Sequence, residues 1–190
     1  MKQFPRLLMF LAVISLLCLF LFPMWRITLL APQYPQGVTM YIHINKIAGD
    51  SPGTLQNVNI LNHYVGMKFI EPESIPELKY FPYIILGLSF LGLIAAAINK
   101  SGFYFAWCVL LVALSVAGIY DFYLWEYDYG HDLAANAPIK IPGASFQPPV
   151  FGVKQIINFT AISYPALGGI FAGLAIPFAF MAGWIKQKST

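Results

Sequence analysis

One stretch decides the fold of this chain: Tyr120-Asp121-Phe122-Tyr123-Leu124-Trp125-Glu126-Tyr127-Asp128-Tyr129-Gly130-His131-Asp132. Aromatic residues alternate here with four acids and one histidine, directly after a long apolar run that carries no charge. A helix that leaves a bilayer shows this change, because aromatic residues collect at the membrane–water interface and charged residues lie outside it. The stretch therefore predicts where a membrane helix emerges, and the other segments are placed relative to it.

The composition of the whole chain points to a lipid-embedded protein. Of its 190 residues, 58% are hydrophobic, 16% aromatic and only 10% charged, whereas about 25% charged residues are usual in a soluble domain. The net charge of +3 is spread along the chain without a basic cluster, which argues against binding of nucleic acid. Both cysteines, Cys18 and Cys108, lie in apolar runs, so we expect free thiols.

Four apolar runs are long enough to cross a bilayer as helices, which needs about 20 residues. They predict spans at about 7–25, 80–98, 103–124 and 162–185, in a single integral membrane domain that covers residues 1–190. A secretory signal peptide is the rival interpretation of the first run. That run is long for a signal peptide, and Phe22-Pro23-Met24-Trp25 lacks the small residues of a cleavage site.

The distribution of charge predicts the orientation in the membrane. Five cations and no acid flank the two chain ends and the short turn between the second and third spans: Lys2, Arg6, Lys100, Lys186 and Lys188. All eight acids lie on the opposite side, in or beside the two long polar regions at about 26–79 and 125–161. Because cytoplasmic segments are enriched in Lys and Arg, we expect a multi-pass bacterial inner-membrane protein with both termini cytoplasmic and both long regions periplasmic.

The periplasmic regions contain signals for a small cap. Residues 25–30 and 38–45 read as two strands of a hairpin, with a turn or loop at 31–37. A short amphipathic helix is predicted over about 55–64, and a proline-rich loop over 138–149. The predicted fold class is therefore an all-α membrane protein of four antiparallel transmembrane helices with a small periplasmic cap of β-hairpin, short helix and proline-rich loop.

Imidazoles and thioethers gather in the periplasmic regions, and together they suit Cu(I), a soft cation. His63 and Met67 are four residues apart, so they share one helix face if the helix continues through Gly66. His131 follows Asp128 by three residues, which places that carboxylate to orient the imidazole ring. The candidate Cu(I) ligands are thus His63, Met67 and His131. The alternative is that the histidines are structural and bond to loop backbone.

The stretch that ends the third span has further interpretations. Continued as a helix, it presents an acidic, tyrosine-lined surface that would dock a partner through Trp125, Tyr127, Asp128 and Tyr129. The simpler alternative is an aromatic interface belt followed by a solvated helix end. A membrane enzyme that uses Asp128 and His131 is the least favoured interpretation. Because the uncharged runs, the third taken as 103–120, hold no Asp, Glu, Lys, Arg or His and no catalytic motif is present, a transporter or an enzyme is disfavoured.

Six segments of the polar regions carry a distinctive pattern: APQYPQGVTMYI (31–42), NVNILNHYVGM (57–67), ELKY (77–80), YDFYLWEYDYGH (120–131), PGASFQPP (142–149) and NF (158–159). Together they resemble a family of small four-helix inner-membrane proteins of Bacteroidota-like bacteria. The order of one span and then a strand is also similar to claudin-like proteins, which have four helices and two outer loops.

Members of the inner-membrane family accompany the copper enzyme nitrous oxide reductase and its copper chaperone lipoprotein. The resemblance therefore implies a non-enzymatic accessory protein that assists copper handling or the maturation of that enzyme. Its partners would be the lipid bilayer, the copper chaperone and the maturation proteins of the reductase. The alternative function is a metal-free structural or scaffold subunit that docks a partner through its cap.

Overall fold

The computed structural model describes residues 3–140, 143 and 145–189. Its helices are α1 (Phe4–Leu17, followed by a 3₁₀ turn at Cys18–Phe20), α2 (Thr54–Val65), α3 (Glu77–Ile98), α4 (Ser101–His131) and α5 (Leu167–Lys188), with a second 3₁₀ turn at Pro72–Ser74. Its strands are β1 (Trp25–Ala31), β2 (Tyr34–Ile42), β3 (Ile47–Gly49), β4 (Gly152–Ile156) and β5 (Phe159–Pro165). Cys18 and Cys108 are free thiols.

Four helices form a bundle in which α1 packs against α3 and α5, and α4 packs against the same two helices. Buried apolar side chains fill its centre, among them Met9, Ala12, Trp107 and Ala179. Large apolar side chains stay exposed on its outside: Leu21, Phe90, Leu91, Val109 and Val116 are examples. An apolar exterior of this extent suits lipid rather than water as the surroundings.

Three of these helices, α3, α4 and α5, are long and apolar enough to cross a membrane. The predicted first span, at about 7–25, corresponds to a shorter apolar helix, Phe4–Phe20. The chain leaves this helix before Pro23, and Trp25 already pairs within a strand. Three candidate spans are thus present, which agrees with the prediction of a membrane protein, and the fourth span stays a prediction.

The helix of the fourth predicted span begins later than expected, and the helix of the third continues beyond its predicted span. The span expected from residue 162 begins only at Leu167, because Phe159–Pro165 form β5 and pair with β1. Their β-branched and aromatic side chains favour a strand, and Pro165 interrupts the apolar run before the helix. The span expected over 103–124 continues as one helix to His131.

The cap is built on one antiparallel sheet with strand order β3-β2-β1-β5-β4. The predicted hairpin is confirmed by the pairing of β1 with β2, although β2 already begins at Tyr34, so the turn is only Pro32–Gln33. The β4–β5 hairpin was not predicted, because residues up to 161 read as a polar loop. Since β1 and β5 are neighbours, both polar regions share the sheet, and the all-α description holds for the bundle alone.

Helix α2 and one loop cover the sheet. The predicted short helix is confirmed as Thr54–Val65, and Val58 packs on the alternating buried side chains Val38 and Met40 of β2. The loop of residues 145–149 has no regular structure and is held by a bond from the Phe146 amide to the Gly130 carbonyl oxygen, 2.9 Å. Residues 141, 142 and 144 of the predicted proline-rich loop lie outside the described residues.

Candidate functional site

Helix α4 connects the bundle to the cap. At 1.5 Å per residue its 31 residues extend about 46 Å, which exceeds the bilayer core of about 30 Å. Its last turns lie in the cap, where Phe122, Trp125 and Tyr129 contribute to the core beneath the sheet. Their spacing of three and four residues places them on one helix face, so that face is turned toward the sheet.

Two residues predicted for docking instead hold α4 in place. The Trp125 ring packs on the core beneath the sheet and is stacked on Phe122, with ring centroids 6.2 Å apart. The Tyr129 hydroxyl donates to the Phe69 carbonyl oxygen, 3.1 Å, and its ring centroid lies 4.4 Å from that of Trp125. Tyr129 is buried and Trp125 half-buried, so both position the helix. Tyr127 and Asp128 lie on the exposed side of the same turns.

Glu126 lies on the buried face of α4 and is 0% exposed. Neither of its carboxyl oxygens has a hydrogen-bond partner among the residues that the structure describes. Burial raises the pKa of Glu126 to about 8, and the positive charge of Lys154 acts in the opposite direction. The carboxyl group is therefore protonated at neutral pH, because a buried carboxylate without a partner is strongly disfavoured.

Glu126 faces a small buried cavity of about 40 Å³, which we call the cap cavity. Most of its wall is apolar, and the side chains that bring other chemistry are Glu126, Met40, Met67 and Asn62. About 30 Å³ is the volume of one water molecule in the liquid, so the cap cavity has room for one water or one small ion. Its chemistry is that of two thioethers and one carboxyl group in an apolar shell.

The end of α2 places Met67 in this wall. Gly66 adopts a left-handed conformation with φ of 82°, which ends the helix at Val65. The Met67 amide then donates to the Asn62 carbonyl oxygen, 2.9 Å, and the side chain turns inward. The expectation that His63 and Met67 share one helix face is therefore wrong, since it required the helix to continue through Gly66.

The two histidines of the predicted metal site lie on the surface in separate surroundings. His63 is exposed, with its ring centroid 6.1 Å from that of Phe69. His131 is exposed as well, with Nδ1 at 2.9 Å from the Tyr127 carbonyl oxygen and the ring stacked on Tyr127 at 3.9 Å. Within the described ranges, no group of three or more His, Cys, Asp or Glu side chains is placed to hold a metal ion.

Asp128 takes part in an ion pair instead of orienting His131. The Lys68 ammonium lies 3.0 Å from Asp128 Oδ2 and 2.7 Å from Asp132 Oδ2. The hydrogen bonds to these two carboxylates raise the pKa of Lys68. The pair also joins the loop after α2 to the end of α4, as does a bond from the Ala134 amide to the Gly66 carbonyl oxygen, 2.8 Å.

The sequence analysis missed Glu126 and Met40 as site residues. For Glu126 the signal was present, because Phe122 and Tyr129 lie four residues before and three after it, on the face that packs on the sheet. By sequence, Met40 and His43 make a poor ligand pair, because strand alternation puts them on opposite faces. That alternation is observed, and it is what turns Met40 toward the cap cavity.

Comparison with known proteins gave no relative: neither the scan against protein-family models nor the search of curated proteins found a match. The resemblance carried by the six polar segments therefore stays a prediction. The function is therefore inferred from the residues of the cap and of the bundle.

Proposed function

We propose that the protein is a non-enzymatic accessory protein of a bacterial inner membrane that holds Cu(I) in the cap cavity, on the periplasmic side. One observation carries this proposal: Met40, Met67 and the partnerless carboxyl group of Glu126 line the same small buried space. Of the three ligands predicted from sequence, Met67 is retained. Met40 and Glu126 take the places of His63 and His131.

The side chains around the cap cavity fit a soft monovalent cation. Thioethers prefer Cu(I) to hard cations. A single carboxylate cancels its single positive charge, so ion and ligand are buried as a neutral pair, which limits the desolvation penalty. A calcium or magnesium ion would lack the six or more oxygen ligands that it prefers. The orphaned Glu126 oxygens are the strongest sign of fit, because buried polar groups without partners are uncommon.

Each residue of the site has a separate task in this proposal. The two methionines bind the cation, and Glu126 gives up its proton when the cation enters. The packing of Trp125 and the hydrogen bond of Tyr129 fix α4, so that the carboxyl group stays beneath the sheet. Phe146, 2% exposed, covers the cap cavity and keeps water out. Bound copper supplies no chemistry of its own here, since the proposed role is to hold and pass on the ion.

The cellular setting of the proposal comes from charge and from the resemblance. Cations without acids at the chain ends favour cytoplasmic termini, which leaves the cap in the periplasm. The resemblance of the polar segments favours a role beside nitrous oxide reductase, with its copper chaperone or maturation proteins as donor and acceptor of the ion.

A chelator competition with matched variants tests the proposal. The purified protein is loaded with Cu(I) under reducing conditions and challenged with a Cu(I) chelator. We expect Met40→Leu/Met67→Leu to lower the retention constant by about tenfold or more, since both soft ligands are lost while side-chain volume is nearly kept. Met24→Leu/Met181→Leu, which removes two methionines elsewhere, and His63→Ala/His131→Ala should retain copper like the wild type. Equal retention by all four proteins would contradict the proposal.

A second candidate function, a scaffold subunit, is favoured by the exposed tyrosines of α4. Tyr120, Tyr123 and Tyr127 are 62%, 41% and 46% exposed, and their spacing places them along one side of the helix. With Asp128 beside them, this surface suits a partner protein that presents Arg or Lys side chains. Chemical cross-linking in membranes tests it. A partner captured by the wild type and by Met40→Leu/Met67→Leu, but not by Tyr123→Ala/Tyr127→Ala, would support docking independent of metal.

A further inference from the structure

The end of the bundle opposite the sheet, which we call the turn end, contains an open groove. The start of α1, the turn between α3 and α4, and the end of α5 meet there. Each contributes one cation to the lining: Arg6, Lys100 and Lys186. No acid is among the described residues that line it, and in the sequence all eight acids lie in or beside the polar regions that form the cap.

Arg6 is held in an orientation that leaves donors for a ligand. Its Nη1 donates to Gln3 Oε1, 3.0 Å, and its Nη2 reaches the Ala97 carbonyl oxygen of α3, 3.4 Å. Its Nε is buried and has no hydrogen-bond partner among the described residues. A guanidinium group carries five N–H donors in a planar fork that matches phosphate oxygens. Two of the five are used by the protein and the Nε donor is buried, so one N–H group on each of Nη1 and Nη2 is left for an anion.

The groove joins this cationic rim to apolar surface. Phe103 and Ile98, which line it, are 47% and 39% exposed and continue into the apolar outer surfaces of α3 and α4. A free phosphate would use only the cations and gain nothing from these side chains. A molecule with a phosphate group above long hydrocarbon chains would use both parts, with its chains lying along the bundle.

The start of α4 supplies further donors beside the cations. Lys100 precedes the first turn, no side chain caps it, and Ser101 and Gly102 of that turn line the groove. The positive end of the helix dipole adds to the attraction for an anion. The positive charges of Arg6 and Lys100 act in the same direction, and a bound phosphate would offset them.

From this combination we infer that the groove at the turn end is a binding site for an anionic phospholipid. Its phosphate group contacts Arg6 and Lys100, and its acyl chains lie against Ile98 and Phe103. The inference is independent of the proposed copper site, because the two sites lie at opposite ends of the bundle and share no residue. It assigns the lipid as a bound ligand of the protein, in addition to the bilayer around it.

Lipid retention after purification tests the inference. The full chain is reconstituted in nanodiscs of phosphatidylcholine with a minor share of phosphatidylglycerol, extracted in detergent, and analysed by native mass spectrometry. We expect the wild type to retain phosphatidylglycerol in preference to phosphatidylcholine. Arg6→Gln/Lys100→Gln should lower that retention about tenfold, because each basic residue near the phosphate adds to the attraction. Lys46→Gln/Lys140→Gln, with the same change of net charge in the cap regions, should retain the lipid fully.

Two further arms keep the result unambiguous. Lys100→Gln alone removes an exposed cation without touching the bond between Arg6 and α3, so its fold is preserved and a clear fall in retention is still expected. Millimolar inorganic phosphate should leave lipid retention unchanged. Equal retention by Arg6→Gln/Lys100→Gln and Lys46→Gln/Lys140→Gln would overturn the inference. So would displacement of the lipid by inorganic phosphate, which would indicate a site for free anions.

Discussion

The two ends of the bundle differ in both the sign and the burial of their charged side chains. At the sheet end, one acid, Glu126, is sealed beneath a sheet beside two thioethers. At the turn end, Arg6 and Lys100 line an open groove without any acid. A buried acid in a cavity of about 40 Å³ suits one small cation. Exposed cations beside apolar side chains suit a large amphiphilic anion. Burial, as much as the sign of charge, therefore determines which ligand suits each end of the bundle.

Helix α4 separates the two ends by about the thickness of a membrane. Between Lys100 and Glu126 it rises about 39 Å at 1.5 Å per residue, compared with about 30 Å for a bilayer core. The acid at one end and the cations at the other are therefore far enough apart to lie outside a hydrocarbon layer that α4 crosses. This agrees with a phospholipid site in one leaflet and a cation site beyond the other.

The largest effect is expected from removing the carboxyl group at the sheet end. Glu126→Gln should lower Cu(I) retention by about a hundredfold, because the amide cannot cancel the charge of a buried cation. Chelator competition measures the change. Asp121→Asn makes the same substitution of charge at an exposed position of the same helix and should retain copper. A similar loss in both variants would show that the effect is not specific to the cap cavity.

The pH dependence of the sheet end should have opposite signs for stability and for copper binding. A pKa of about 8 in the folded protein, against an ordinary value of 4.5, means that the folded state binds this proton more tightly. The stabilising contribution is present in full below about pH 4.5 and is lost as pH rises to about 8, by up to about 5 kcal/mol. Copper retention should instead rise up to about tenfold per pH unit and level off above about pH 8.

Thermal unfolding of the copper-free protein from pH 5 to 9 checks the first sign, and chelator competition over the same range checks the second. The difference between the wild type and Glu126→Gln isolates this group. His43, whose pKa is lowered by burial and then by Lys46, is present in both proteins and cancels. Parallel pH profiles of the two proteins would show that Glu126 does not titrate in this range.

A moderate effect is expected from opening the wall of the cap cavity. A methyl group at Gly130 would collide with the backbone of Gln147, so Gly130→Ala should displace the loop that carries Phe146. Overpacking of this kind costs about 1–3 kcal/mol, and the opened wall should shorten the lifetime of bound copper. Gly118→Ala, in the same helix, is the control, because a methyl group there meets no neighbouring atom within 4 Å. Thermal unfolding and a copper-release time course measure both. Unchanged unfolding of Gly130→Ala would contradict the described packing.

The smallest effect is expected at the surface of the sheet end. Lys68→Met removes the ion pairs to Asp128 and Asp132, whose side chains are 59% and 67% exposed. Pairs with this exposure contribute little to stability and are screened by salt. Thermal unfolding should therefore shift only slightly, and less at high salt. A shift as large as that of Gly130→Ala would show that this pair determines how the two polar regions join.

The comparison also shows what the sequence could reveal. The apolar helices, the first hairpin and α2 follow from local patterns of period 2 and 3.6, and they were predicted. The β4–β5 hairpin was missed because its second strand merges with the apolar run of α5, and only pairing with β1 separates them. The groove at the turn end is made by residues from three elements, so the pattern of cations was visible but the concave surface was not.

The candidate site was harder to predict than the fold because it depends on contacts between distant segments. The spacing of His63 and Met67 predicted a shared helix face, but the helix ends between them because Gly66 adopts a left-handed conformation. Trp125 and Tyr129 looked like docking residues, but Trp125 packs on the core of the cap, and Phe69, the hydrogen-bond partner of Tyr129, lies far away in the sequence. Burial of a helical acid cannot be read from its neighbours alone, since it needs the sheet above it.

One measurement tests the central claim most directly: X-ray absorption spectroscopy of the protein loaded with one equivalent of Cu(I). We expect sulfur scattering from Met40 and Met67 with one lighter oxygen neighbour from Glu126. The sulfur scattering should disappear in Met40→Leu/Met67→Leu and persist in His63→Ala/His131→Ala. A spectrum of imidazole nitrogen that is lost in His63→Ala/His131→Ala and unchanged by loss of the methionines would contradict the cap cavity as the copper site.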